Sequence, residues 1–225
     1  DAVRLNFSHG SRDEHRARAA AVREAASRIG KEVGILADLP GPKIRIDCFR
    51  DGRVELQAGE RFDLVADGSV ELGDQSQVGV SYAGLPRDLS AGDVLLLDDG
   101  IVQLKVEAID GARIRTTVMS DCVLSDRKGL NRLGGGLSLG ALTDEDREWI
   151  GFAAELGVDF IAVSFCRSAA DMEEARALAR AAGSDASLVS KIERAEAIRN
   201  LAQIIDASDV VMVARGDLGV EIGDA

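Results

Sequence analysis

The sequence predicts an α/β protein, a parallel sheet with covering helices into which a small antiparallel β domain is inserted. Apolar strand runs alternate with amphipathic, capped helices at both ends of the chain, as expected of parallel strands joined by crossover helices. Between Ile46 and Gly134 that rhythm gives way to short alternating β runs with Asp-Gly pairs starting at Asp51, Asp67, Asp99 and Asp110, which are hairpin-turn signals. Periodicity alone leaves an open sheet and an incomplete eight-stranded barrel both open. Charged residues at the ends of the apolar strands decide for a partial TIM (β/α)8 barrel, because the strand C-termini of a barrel share one active face.

Ala2 to Phe7 reads as the first strand, and Ser11 with Glu14 forms a capping box for a helix that carries Val22, Ala26 and Ile29 on one face and ends at Gly30. Val33 to Leu39 is the second strand. After the inserted segment, Thr143 with Asp146 caps a helix containing Trp149, Ile150 and Ala153, and Phe160 to Phe165 is the next apolar strand. Ser168 starts a helix with Met172, Ala175, Leu178 and Ala179 facing inward, closed by Gly183. Strand Leu188 to Ile192, a helix around Ala195 to Ile205 and strand Val210 to Ala214 complete five strands in a row. Within the insertion the clearest hairpin is Val94 to Leu97, the turn Asp98-Asp99-Gly100, and Ile101 to Ala108. The expected domains are 1–45 with 135–225 for the partial barrel, and 46–134 for an inserted β-barrel lid.

With 225 residues, 46% of them hydrophobic, the chain has enough apolar material for a full core. Its formal charge of -12 argues against a nucleic-acid or anionic-membrane surface, so an anionic small substrate needs local cations or a bound metal. The cysteines Cys48, Cys122 and Cys166 are scattered, with no CxxC pair, which points to a reducing cytoplasm and to neither a disulfide framework nor a zinc site. No apolar run approaches the roughly 18 residues of a membrane span. The chain opens on Asp1 rather than Met and enters a strand at once, and is therefore read as a piece of a larger protein.

Chemistry concentrates in two strand-end motifs, Ser190-Lys191-Ile192-Glu193 and Ala214-Arg215-Gly216-Asp217. Mg²⁺ takes one or two carboxylates and fills its remaining positions with water and substrate oxygens, which suits Glu193 and Asp217. A single acid after a strand usually serves the next helix N-terminus, but a pair in adjacent units, each beside a cation, favours a metal. Lys191 lies two residues before Glu193 and leans to the same face, where an ammonium can neutralise a phosphoryl group or an enolate oxygen; the plain alternative is a structural ion pair with Glu193. Gly216 is expected to turn the backbone and offer amides to a carboxylate. Along the first strand Arg4, Asn6 and Ser8 point to one side, and an arginine on a buried face needs an anion, for which phosphate geometry fits. His9 alone reads as a solvated loop residue.

These residues together resemble the pyruvate kinase family. The strings RLNFSHG (Arg4 to Gly10), GPKIR (Gly41 to Arg45), DDG (Asp98 to Gly100), KGLN (Lys128 to Asn131), SKIERAEA (Ser190 to Ala197) and VMVARGDLGVEIG (Val211 to Gly223) follow the family's order and spacing over essentially the whole chain, insertion included. The resemblance implies phosphoryl transfer from phosphoenolpyruvate to ADP, giving pyruvate and ATP. It implies that Lys191 stabilises the phosphoryl group and enolate, that Arg4 contacts the phosphoryl group, and that Glu193 and Asp217 bind Mg²⁺ or Mn²⁺. It further implies that the Gly216 and Asp217 amides receive the substrate carboxylate, that Ser164 and Phe165 line the pocket, and that Asn6, His9, Arg45 and Lys128 face the nucleotide. Such a mechanism rests on positioning and charge stabilisation more than on covalent chemistry.

Two departures from the common family pattern are informative. Lys43 stands where potassium-dependent members carry Glu, and Leu39-Pro40 replaces a Thr-Lys pair. An ammonium at position 43 is expected to substitute for K⁺ in a site of Asn6, Ser8, Asp38 and the Leu39 carbonyl, so that K⁺ is not required. The hinge after KGLN reads Arg132-Leu133-Gly134-Gly135-Gly136 in place of Leu-Pro-Gly. The chain matches only about the second to the sixth barrel strands, so the 225 residues alone are expected to be inactive and poorly soluble, and the full-length protein to be a homotetramer. Rival readings are a metal-dependent aldolase acting through a pyruvate enolate, which leaves the insertion and Lys128 unexplained, and a truncated binding module without turnover.

Overall fold

The computed structural model describes residues 1–223. The chain begins with β1 (Ala2–Asn6), α1 (Arg12–Ile29) and β2 (Gly34–Asp38). The insertion follows as β3 (Arg53–Leu56), β4 (Arg61–Val65), β5 (Gln77–Gly79), α2 (Leu85–Asp88), β6 (Val94–Leu97), β7 (Val102–Asp110), β8 (Arg113–Val118), β9 (Cys122–Ser125) and β10 (Leu130–Arg132). The chain then runs through α3 (Asp144–Leu156), β11 (Phe160–Val163), α4 (Ala169–Ala181), β12 (Ser187–Ile192), α5 (Ala195–Arg199), α6 (Leu201–Ala207), β13 (Val210–Val213) and α7 (Arg215–Ile222). Two compact units result: Asp1–Pro42 with Gly140–Ala214, and Lys43–Leu139 with the segment from Arg215 onward. The expected boundaries at 46 and 134 fall inside the second unit.

In the first unit the strands lie in the order β1-β2-β11-β12-β13, all parallel, with Leu5 opposite Ala37, Ile161 opposite Ala37 and Leu188, and Lys191 opposite Met212. Successive parallel strands place their C-terminal ends along one rim, as the partial barrel requires. The helix starts follow local chemistry. Ser11 Oγ accepts the Glu14 amide at 3.3 Å while Glu14 accepts the Ser11 amide at 2.8 Å, and Gly30, at φ 66°, closes α1 in the left-handed conformation that glycine adopts without a Cβ penalty. Thr143 and Asp146 form the same box for α3, and Asp146 Oδ1 also accepts the Gly41 amide at 3.0 Å, tying the exit of β2 to a helix start. Acids fasten the opposite ends of the strands: Asp159 accepts the Ile35 amide and Asp209 the Leu188 amide, each at 2.7 Å.

Two local expectations change. The inward stripe of α1 is His15, Ala19 and Ala26, with Val22 half-buried and Ile29 exposed. Positions 15, 19, 22 and 26 form one face at helical spacing, and a histidine takes the place expected of an apolar residue. The helix expected around Ala195 to Ile205 is two, α5 and α6, because Asn200 leaves helical geometry and donates its side-chain amide to the Arg167 carbonyl at 2.8 Å.

The second unit holds a six-stranded sheet in the order β10-β6-β7-β8-β4-β5 and a two-stranded sheet of β3 with β9. Its pairs are antiparallel except β4 with β5. Alternating strands send Phe62, Leu64, Leu95, Leu97, Leu104 and Ile114 into one core. The β6–β7 hairpin turns through Asp98, Asp99 and Gly100 at φ 50°, 56° and 90°, a run of left-handed backbone that Asp and Gly tolerate. No helix among the described residues is long and apolar enough to cross a membrane.

His15 packs against Phe7 at 4.8 Å and Trp149 at 5.9 Å between ring centroids, with no hydrogen-bond partner on either ring nitrogen. Burial, and then the Arg18 charge, hold its pKa below the ordinary 6.5, against the opposing pull of the His9 backbone and Glu14. The folded state therefore keeps His15 neutral while the unfolded chain takes up a proton, and stability is lost as pH falls from 6.5 toward the lower folded value. Chemical denaturation between pH 7.5 and 5 is expected to show this loss in the native sequence, and His15→Phe to flatten it; a pH slope unchanged by the substitution would contradict the role of His15.

Candidate active site

At the C-terminal rim of the first unit, three strand ends converge on one ammonium. Lys191 Nζ lies 3.1 Å from Asp38 Oδ1, 3.0 Å from Glu193 Oε1 and 2.8 Å from Ser164 Oγ. Lys191 is the penultimate residue of β12 and Glu193 follows its end, so the period of two puts both side chains on one face. Asp38 closes β2, and Ser164 follows β11 and donates to the Leu39 carbonyl at 2.7 Å. The side chains of Asp38 and Glu193 are each only 2% exposed and that of Lys191 12%. Burial works against the Lys191 charge, but Glu193 and then Asp38 more than offset it, and its pKa stands above the ordinary lysine value. Removing charges from water costs several kcal/mol per ion, and only full pairing compensates.

Arg4 completes the charge balance. Its Nε and Nη2 both reach Asp38 Oδ2 at 2.6 Å. Asp38 is thus one anionic partner of Arg4, and the expectation of a buried face is corrected: Leu5 and Phe7 fill the buried side of the strand, while the Arg4 side chain is 54% exposed. Two cations and two carboxylates form a neutral cluster with one guanidinium at the solvent.

Glu193 is held from its other oxygen as well. Oε2 accepts the Phe165 amide at 2.8 Å, and Phe165 makes that bond at φ 55°, an outlier for a bulky residue that costs on the order of 1–3 kcal/mol. A hydrogen bond to a charged acceptor, about 1.5–3 kcal/mol, is of comparable size. The Arg194 guanidinium lies 5.6 Å over the Phe165 ring, and such a desolvated cation–π contact adds about 0.5–2 kcal/mol. Gly41, at φ 68°, makes room on the other side: a Cβ there would come within 2.8 Å of the Phe165 ring and of Ser164 Cβ. Next along the chain, the buried Cys166 thiol donates to the Lys191 carbonyl at 3.2 Å, and burial pushes its pKa up to about 12.

Asn6, Ser8 and His9 lie at and just after the end of β1, where Asn6 Oδ1 accepts the Ser8 amide at 3.1 Å and Ser8 and His9 are exposed. The Leu39 carbonyl serves Ser164, and Asp38 serves Arg4 and Lys191. In the second unit, Lys43 Nζ lies 3.6 Å from Asp217 Oδ1, Lys128 Nζ 2.8 Å from Asp98, and Arg45 donates to the Arg127 carbonyl at 3.0 Å. Gly216 and Asp217 occupy the first turn of α7; Gly216 has no left-handed backbone, but first-turn amides lack intrahelical acceptors and can still serve an anion. Gly41 and Arg194 carried no expectation of a role. The Gly-Pro step after β2 was a signal for the first, whereas nothing local marks Arg194.

Among the described residues no three His, Cys, Asp or Glu side chains cluster as a ready-made metal site. Glu193, a carboxylate oriented through Lys191 Nζ and the Phe165 amide, has the oxygen chemistry that a hard divalent cation takes.

The parallel strands, with charged side chains gathered at their carboxyl ends around Lys191, define a barrel-type α/β protein. A family model described as "Pyruvate kinase, barrel domain" matches residues 1–225. Similar proteins are pyruvate kinase of Haemophilus influenzae, 55% identical over 99% of this chain and 47% of its own length, and pyruvate kinase II of Salmonella typhimurium, 54% identical over 99% and 47%. Pyruvate kinase of Geobacillus stearothermophilus is 44% identical over 98% of this chain and 38% of its own length. The chain belongs to the pyruvate kinase family, and it spans about half the length of the curated relatives it matches.

Replacing Lys191 by Met leaves two buried carboxylates without their shared cation, so denaturant melts should record a loss of about 3 kcal/mol or more; an unchanged midpoint would contradict the pairing. Gly41→Ala should lose roughly 1–3 kcal/mol in the same measurement, because strain and contact both oppose the added methyl.

Proposed function

We propose that the full-length protein carrying this chain transfers a phosphoryl group from phosphoenolpyruvate to ADP, giving pyruvate and ATP in the last step of glycolysis. The observation that carries the proposal is the Lys191 ammonium, buried and held by Asp38, Glu193 and Ser164 at a barrel rim. A charged, immobilised donor of this kind stabilises charge that develops on a transferring phosphoryl group or an enolate oxygen without reorganising.

In this reading Lys191 meets the phosphoryl group and the enolate oxygen, and Arg4, half-exposed, offers its uncommitted N–H groups to the phosphoryl oxygens. Ser164 and Phe165 bound the substrate, and the Gly216 and Asp217 amides take its carboxylate. Glu193 and Asp217 are the proposed ligands of Mg²⁺ or Mn²⁺, which supplies charge neutralisation to phosphate oxygens when bound. Asn6, His9, Arg45 and Lys128 serve the nucleotide. Lys43 stands for K⁺ beside Asn6, Ser8, Asp38 and Leu39 on the strength of the family pattern. Cytoplasmic location, a homotetrameric full-length protein and inactivity of the 225 residues alone belong to the same proposal.

The test is turnover of the full-length protein in a coupled lactate dehydrogenase assay. Phosphoenolpyruvate and ADP with Mg²⁺ should give pyruvate, Lys191→Met should reduce kcat at least about 10³-fold, and K⁺ should change the native rate by less than about twofold. Absence of phosphoryl transfer by the native protein would refute the assignment. Strong activation by K⁺ would refute the role given to Lys43 alone.

A further inference from the structure

Arg194, a residue with no assigned role, lies over the ring of Phe165, whose amide donates to Glu193, and we propose that Arg194 is a positioning residue for the carboxylate proposed to bind the metal. The inference rests on the phosphoryl-transfer reading above. Its geometry lies within the first unit. The Arg194 guanidinium sits 5.6 Å over the Phe165 ring, Phe165 holds φ 55°, and its amide donates to Glu193 Oε2 at 2.8 Å. Glu193 Oε1 in turn contacts Lys191 Nζ at 3.0 Å.

The chain of cause runs through Phe165. A phenylalanine in left-handed backbone relaxes toward ordinary φ unless its surroundings prevent it, and relaxation would rotate the amide away from Glu193. Gly41 leaves the ring its space, and the guanidinium presses on the ring face through the attraction between a cation and the π quadrupole. Arg194 is itself only 4% exposed, so the contact is made in a desolvated setting where it is strongest. The Phe165 bond orients Glu193, with one oxygen on the amide and the other toward Lys191. Arg194 therefore acts on the proposed metal ligand through Phe165.

The experiment uses the full-length protein, with Mn²⁺ as the probe and electron paramagnetic resonance to count the free ion. Arg194→Met should weaken Mn²⁺ binding and lower kcat, each roughly fivefold or more, while KM for ADP stays within about twofold. Arg194→Lys, which keeps a cation over the ring, should recover most of both. Phe165→Leu removes the ring, so adding Arg194→Met to it should cost less than about twofold further in Mn²⁺ binding. Unchanged Mn²⁺ binding in Arg194→Met overturns the proposal, as does an equal loss in the Met and Lys variants. An Arg194→Met protein that fails to fold makes Arg194 a stability residue and overturns it too. Because Mn²⁺ binding is read without turnover, a native protein that binds Mn²⁺ but transfers no phosphoryl group would sink the phosphoryl-transfer reading while leaving the role of Arg194 open to its own result.

Discussion

The ammonium of Lys191, shared by two buried carboxylates, is the constraint on which the rim of the first unit depends. Asp38 and Glu193 come from the ends of different strands, and both are removed from water. Without a cation between them they would repel one another in a medium that screens charge poorly. With it, β2 and β12 are pinned at their C-terminal ends, and Ser164 adds β11 through the Leu39 carbonyl. The arrangement that neutralises these charges is also the one that leaves a fixed positive centre for an anion, so stability and proposed chemistry draw on the same contacts.

Strain is distributed around that centre rather than avoided. Phe165 carries the unfavourable backbone, Glu193 rewards it with a hydrogen bond, Gly41 yields the volume and Arg194 covers the ring. Contributions of about 0.5–3 kcal/mol are sizeable beside a net stability of about 5–15 kcal/mol, so the strain at Phe165 needs these compensating contacts. A rim assembled this way has one low-energy arrangement of its carboxylate, a condition for preorganised electrostatics.

Much of this was legible before any coordinates. Ser11 with Glu14 and Thr143 with Asp146 announced two helix starts because capping is chemistry between residues three apart. Lys191 and Glu193 declared a shared face because strand periodicity is strict. What could not be read was partnership across the sheet: that Arg4 meets Asp38 depends on the register of β1 with β2, a long-range property. The same applies to His15, whose polarity hides a core position set by Phe7 and Trp149. The break at Asn200 was invisible because its partner, the Arg167 carbonyl, is distant in sequence.

Cys166 lies one residue from the strained peptide and hydrogen-bonds the Lys191 carbonyl, with a thiol that ionises only at about pH 12. A thiolate is the form that attacks peroxides and electrophiles, and at neutral pH this one is essentially absent. The rim around Lys191 thus carries a sulfur atom of low nucleophilic reactivity. Any sensitivity of the chain to alkylating or oxidising agents should trace instead to the half-buried Cys48 and Cys122 of the other unit.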